Sequence, residues 1–463
     1  MAQGYAERDT VRTVGAVPPR SSTDAPNRAA TNAGMTNAGM TNAGMTNAGM
    51  TNAGMMNAGM TNGERHMTLE QPVRDWATDF DIGDPRYESD PYPIWSDLRR
   101  HYPVAHTDRR RGAYLPTRYD DIAAVAYDTE RFSSRDVGVL PSPPGASLLV
   151  APPITSDPPF HTEARRLLLP YFSPKSVERL QIKTHDITTS LLDALEGRGA
   201  ADAAGDYAQH IPVRVIAHML GIPESDEALF TTWAVRILQD AATDPEIGRV
   251  ATREILAYFG EQVRQRREEP SGDLISALLE AGLDGAPLTE KHILGTCFLL
   301  LLAGIDTTWS SIGSSLWHLA THPADRERLV ADPSLIPMAT EEFLRAYSPV
   351  TMGRVATADT EIAGVPVKAG ERVLLAFPAG NRDPEHFDRP DEVIIDRAQN
   401  RHFAFGIGVH RCLGSNLARM ELQVAIGDWL ARFPDFTIKP GTEVRWGGQQ
   451  IRGPREVPVL LHP

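Results

Sequence analysis

Two short segments of this 463-residue chain carry side chains whose types and spacing suit them to chemistry. Residues 403–414, FAFGIGVHRCLG, set Cys412 among Gly406, Gly408 and Gly414, with His402 and His410 nearby and an apolar, helix-like segment following. Residues 303–308, AGIDTT, place Asp306, Thr307 and Thr308 at the end of the most apolar run of the sequence, Ile293 to Ile305. Gly304 costs about 1 kcal/mol relative to alanine in a helix, and Asp and Thr are modest helix formers, so the cluster asks for a reason. One is a local kink in which threonine hydroxyls bond carbonyls of the preceding turn. The other is a widened turn facing a cavity, where an acid and an alcohol pass protons to a bound species.

The glycines around Cys412 permit positive φ and let a flat group approach without β-carbon clashes. A cysteine just before a helix is favoured as thiolate by unpaired N–H groups and the helix dipole. A zinc site asks for more cysteines or closely spaced histidines, and only His402 and His410 are near. A nucleophile asks for a positioned base; His410 is two residues away and points elsewhere in a turn, which leaves a distant histidine. The remaining reading is an axial thiolate ligand to a haem iron.

The elements that position these segments are mostly helical. Thr289 is a plausible N-cap for a helix running to Pro323, roughly 33 residues or about 50 Å, apolar on nearly every side and therefore expected in the core. Further helices are expected at 91–101, 117–127, 160–170, 174–196, 207–220, 246–268, 337–347 and 415–432. Strand signals are GAYLPT, the pair TEIAGVPV and RVLLAFP joined through KAGE, and the C-terminal TEVRWGG with EVPVLL. The fold class is mainly α with small peripheral β-sheets.

The formal charge of −14 argues against general binding of a nucleic-acid backbone. Cys297 and Cys412 make no disulfide framework, and Cys297, in GTCFLLLL, reads as a small core residue. The N-terminus lacks a basic start with an apolar core, and the 293–305 run is short of the roughly 20 residues of a bilayer span. A monomeric cytoplasmic protein with no membrane partner is expected. Residues 31–60 are six pentapeptides, five TNAGM and one MNAGM, too poor in apolar surface to offset ordering entropy. Residues 1–66 are expected to be a disordered extension and 67–463 the folded domain.

Residues 403–414 resemble the haem-binding loop of the cytochrome P-450 monooxygenases. Phe405, Gly408, Cys412 and Gly414 stand at the fixed positions and His410 at the basic one. AGIDTT is similar to the family's oxygen-activating segment, Glu342 with Arg345 to its Glu-x-x-Arg pair, and AGNRDPEHF, 379–387, to its approach to the cysteine loop. HTEAR, 161–165, and Arg354 in GRVATAD look like its propionate-holding cations. The resemblance covers residues 67–463 and implies the cytochrome P-450 fold, with the long central helix over a buried haem. It implies heme b (iron protoporphyrin IX) with Cys412 as metal ligand, and His161, Arg165, Arg354, Phe405, Gly406 and His410 as cofactor-binding residues.

Thr307 would hydrogen-bond the reacting oxygen and Asp306 would relay protons, these two being the catalytic residues. The implied partners are O₂, a hydrophobic small-molecule substrate, and a ferredoxin with its NAD(P)H-dependent reductase, for which Arg166, Arg411 and Arg419 offer a basic patch. Specificity would come from 136–157, 207–268, Val350 to Met352 and Gln449 to Ile451. The third partner of the Glu342–Arg345 pair is missing from PDEV, where Glu392 and Val393 stand; Arg389 and Arg397 are the candidates. The competing readings are a haem-thiolate protein that binds a ligand without turnover, and a cysteine-dependent hydrolase or transferase.

Overall fold

The long apolar segment runs through the largest core cluster. In a computed structural model, which describes residues 72–140, 150–283 and 285–462, it forms one continuous helix, Glu290–Thr321. The Thr289 hydroxyl caps it, accepting the His292 N–H at 3.2 Å. The helix stops before Pro323, which opens the next helix, Pro323–Ala331. Ile293, Cys297, Leu301, Ile305, Ile312, Leu316 and Leu319 are buried in the largest core cluster. This is the one helix among the described residues long and apolar enough to cross a membrane, yet 72% of its apolar window is covered by the rest of the protein. Its hydroxyls are tolerated in the core because they bond the helix's own carbonyls. Ser311 donates to Thr307 at 2.8 Å, Ser314 to Ser310 at 2.7 Å and Ser315 to Ser311 at 2.8 Å.

Helices Pro174–Leu195, His210–Met219, Pro245–Glu268 and Ser415–Arg432 contribute apolar side chains to the same cluster. All four lie within about three residues of expectation, as do Tyr92–His101, Tyr119–Tyr127, Phe160–Leu168 and Ile336–Ala346. Helix Glu227–Leu238 was not expected as a separate element. Its sequence, EALFTTWAVRIL, interrupts the apolar stripe with two threonines, and it buries only Phe230, Trp233 and Ala234.

The strands correct the expected pairings. TEIAGVPV is a hairpin by itself, Thr360–Ile362 against Val365–Val367, turning at Ala363 and Gly364, both with positive φ. RVLLA, Arg372–Ala376, belongs to a different sheet, antiparallel to Thr351–Ala356 and parallel to Ala113–Pro116. That sheet runs Val104–Thr107, Ala113–Pro116, Arg372–Ala376, Thr351–Ala356, Phe132–Ser133. At the C-terminus Arg445–Gly447 pairs with Gly453–Glu456. Pro458–His462 instead joins Asp435–Ile438 and Ala200–Asp202. The expected disordered extension, residues 1–66, lies outside the described residues, as do 141–149 of the expected specificity segment.

Candidate active site

The cysteine loop folds back on itself. Cys412 N–H donates to the Phe405 carbonyl at 2.7 Å, and Gly406 N–H to the Phe403 carbonyl at 2.7 Å. Gly406 and Gly408 are left-handed, with φ +62° and +72°. A β-carbon at 408 would lie 2.9 Å from the Ala126 carbonyl oxygen, so the loop rests directly on helix Tyr119–Tyr127. Gly414, expected to be left-handed as well, has φ −81° and caps helix Ser415–Arg432. Its use is proximity: a β-carbon there would touch the Cys412 sulfur at 4.0 Å.

Cys412 has accessible surface although protein surrounds it on most sides, which places the thiol on an inner wall. Burial pushes the thiol up, and the Gly414 N–H with Arg165, Arg411 and Arg419 does not offset it. The helix end alone therefore does not produce the thiolate expected from sequence. Nor do the other readings find support. Among the described residues no group of three His, Cys, Asp or Glu side chains is placed to hold a metal ion. The charges acting on the thiol are arginines, and the His410 ring instead packs on His161, centroids 4.1 Å apart.

Near the thiol lies a group of buried basic side chains, some of whose donors have no acceptor. His161, from helix Phe160–Leu168, is 2% exposed, and neither of its ring nitrogens has a hydrogen-bond partner. Nε2 of His410 is likewise buried and unpartnered. Arg354, on strand Thr351–Ala356, is 4% exposed and donates to its neighbour's carbonyl, Gly353 O, at 2.8 Å. Burial pulls Arg354 down to about 10. Burial, then Arg354, His161 and Arg165, pull His410 down to about 3. Asp157 attracts His161 and Arg354, but its oxygens are occupied by the Ser133 hydroxyl at 2.5 Å and the Ser134 N–H at 2.8 Å. Buried donors in this state call for an acceptor-rich anion. The two carboxylates of a haem would fit that requirement. Arg165 spans the two parts: it donates to the Arg411 carbonyl at 2.6 Å and acts on the Cys412 thiol.

On the central helix, Ala303 is exposed and Thr307 half-buried, so this face borders open space. The Thr307 hydroxyl donates to the Ala303 carbonyl at 2.9 Å, the local bonding of the simpler reading, and the helix is not interrupted there. Asp306 turns away from that face. It is 1% exposed and ion-paired with Arg455, a residue that sequence reasoning did not single out. Burial raises the Asp306 carboxyl and Arg455 opposes the rise.

The support network resolves the missing third partner. Arg345 grips both Glu342 oxygens at 2.8 and 2.9 Å. Arg397 donates to the same oxygens at 2.9 and 3.1 Å, and Asn400 and the Ile394 N–H complete the shell. Arg389 sits outside, on Asp388 and Glu392. The expected basic patch loses Arg419, which is bound to Glu341 at 2.6 and 2.8 Å and stacked over Phe405 at 4.4 Å. Burial works against the Glu341 carboxyl, yet Arg419 and His402 hold it down at about 2.

Comparison with known proteins agrees with this geometry. The cytochrome P450 family model matches residues 249–445. Mycinamicin IV hydroxylase/epoxidase of Micromonospora griseorubida is 37% identical over 376 residues, 79% of this chain and 94% of that protein. Vitamin D(3) 25-hydroxylase of Pseudonocardia autotrophica is 35% identical, over 81% and 94%. The solved structure of PksS, the bacillaene polyketide synthase cytochrome P450 of Bacillus subtilis 168, superposes with a TM-score of 0.77 at 32% identity, covering 83% of this chain and 100% of that one. The chain belongs to the cytochrome P450 family and is a P450 monooxygenase of bacterial type.

Proposed function

We propose that this enzyme binds heme b through Cys412 and inserts one atom of dioxygen into a hydrophobic small organic molecule, drawing electrons from a separate ferredoxin and its NAD(P)H-dependent reductase. The observation that carries the reading is the group of buried, anion-less donors, His161, His410 and Arg354, beside the accessible Cys412 thiol. When bound, the haem supplies reductive activation of dioxygen, which electron donation from a thiolate ligand favours. The chain's own residues do the rest. Arg354 would neutralise propionate charge and His161 and His410 would donate N–H groups to it, with Arg165 beside them, while Gly406, Gly408 and Phe405 would hold the loop backbone that presents Cys412.

Thr307 offers a hydroxyl at the open face of the central helix; releasing its bond to Ala303 would free it to donate a hydrogen bond into the space in front of that face. Asp306 supplies the exchangeable proton from behind that face. The apolar walls of the central helix limit water around the reaction. Two of the expected specificity segments touch: Val350 and Ile451 form a β-bridge, and the Gln450 amide lies 3.5 Å from the Met352 sulfur. Relatives named for mycinamicin IV, bacillaene and vitamin D(3) support an organic substrate of this kind. Residues 67–463 form the haem domain in this reading, acting as a cytoplasmic monomer.

The test is turnover of a small-molecule library with ferredoxin, reductase, NADPH and isotopically labelled dioxygen. One labelled oxygen atom per product molecule is expected. Ligand binding without any labelled product would make the chain a haem-thiolate binding protein instead.

A further inference from the structure

The position of the Asp306 carboxylate is set from outside its own helix. Arg455, on strand Gly453–Glu456, donates to both carboxylate oxygens, through Nη1 to Oδ1 and through Nη2 to Oδ2 at 3.2 Å. The same guanidinium reaches the Ser310 hydroxyl at 3.4 Å and the Ile451 carbonyl at 3.0 Å, and lies over the Trp309 ring at 5.0 Å. Asp306 is 1% exposed and Arg455 7%. Arg455 is the one charged group acting on Asp306 among the described residues.

Two glycines make this approach possible. Gly453 shares a strand face with Arg455, and a β-carbon there would fall 2.3 Å from the Ser310 β-carbon. Gly447, its cross-strand partner, leaves room for the arginine stem: a β-carbon there would sit 2.9 Å from Arg455 Nε. The hairpin is therefore fitted to the central helix at the residue expected to deliver protons.

We propose that Arg455 is a positioning residue for proton delivery: its two-pronged grip holds the Asp306 carboxyl group off the Ala303–Thr307 face, so that the C-terminal hairpin governs proton hand-over. This rests on the monooxygenase reading with Asp306 as relay. Without Arg455 the carboxyl keeps its burial and loses its counter-charge, so it takes up a proton at higher pH.

The test compares holoenzymes of the wild type, Arg455→Gln, Arg455→Lys and Asp306→Asn. Infrared titration of the buried carboxyl stretch, assigned by its loss in Asp306→Asn, reads the clamp without any substrate. Arg455→Gln is expected to move the midpoint up by about one to three pH units, and Arg455→Lys, which keeps the charge but not the fork, by less. NADPH-driven dioxygen uptake with ferredoxin and reductase reads the consequence: it should fall roughly 10²-fold in Asp306→Asn and by a smaller factor in Arg455→Gln. An unchanged midpoint in Arg455→Gln overturns the proposal. Where that variant does not retain haem, an unchanged midpoint in Arg455→Lys does so. Unchanged uptake in Asp306→Asn removes the relay reading itself, an outcome distinct from failure of the clamp.

Discussion

Replacing Glu342 by alanine removes the acceptor at the centre of the most enclosed charge network in the fold. Glu342 and Arg345 are both 0% exposed, and Arg397 adds a second guanidinium whose side chain is 7% exposed. The carboxylate takes two bonds from Arg345, two from Arg397, and one each from Asn400 and the Ile394 N–H. Arg345 would retain its bonds to the carbonyls of Asn381, Pro390 and Glu392, so its hydrogen-bonding is only partly lost. Its charge, however, would stand unneutralised in the core beside that of Arg397. Removing one partner of a buried pair costs about 3–5 kcal/mol, a large part of a domain's total stability. Urea unfolding followed by haem absorbance should show the unfolding free energy falling by that amount for Glu342→Ala. Arg389→Ala, which touches only exposed Asp388 and Glu392, should stay within about 0.5 kcal/mol. If Arg389→Ala were as damaging as Arg397→Ala, or Glu342→Ala were silent, the assignment of Arg397 as third partner would be wrong.

Thr307→Ala should leave haem binding intact and divert reducing equivalents to peroxide, product formation falling roughly 10²-fold; tight coupling in that variant would remove Thr307 from proton delivery. Gly408→Ala forces a β-carbon into a left-handed position 2.9 Å from the Ala126 carbonyl, a strain of about 1–2 kcal/mol before the clash is counted. Thermal unfolding of the holoenzyme should show it, whereas Gly427→Ala, where a β-carbon meets only Ile336 at 3.6 Å, should not lower the midpoint. Glu421 is buried with Oε2 unpartnered, and burial raises its carboxyl to about 8. The folded state therefore holds a proton that the unfolded chain releases above its ordinary carboxylate range. Stability from this group is complete below that range and lost as pH rises toward 8, by about 1.4 kcal/mol per pH unit. Glu421→Gln should accordingly raise the thermal midpoint at pH 8 relative to wild type and shift it little at pH 5; an equal shift at both would contradict the buried, protonated carboxyl.

What was legible from sequence was the chemistry confined to one turn or loop. Phe405, Gly408, Cys412 and Gly414 are informative because their spacing is itself the geometry of the loop, and Thr289 announces its helix because capping is a three-residue event. The pairing of Arg372–Ala376 with Thr351–Ala356 was missed because the nearer TEIAGVPV segment competes for the same strand and closes on itself through Ala363 and Gly364. Arg397 lies 55 residues from Glu342, and Arg455 149 residues from Asp306. No periodicity reports such distances. For Arg455 the one local sign was the glycine pattern of WGGQQIRGPRE, whose meaning depends on the helix it packs against. At Cys412 the helix terminus is visible in the sequence, but the burial that opposes it is not.

The central claim is that Cys412 is the axial ligand of a haem. The most direct measurement is the absorption spectrum of the reduced, carbon monoxide-treated protein, recorded for the wild type and for Cys412→His after equal loading with haem. The wild type should show the strongly red-shifted Soret band of thiolate ligation, and Cys412→His the shorter-wavelength band of a histidine-ligated haem. A wild-type band at the histidine position, or a band that Cys412→His leaves unmoved, would contradict the account.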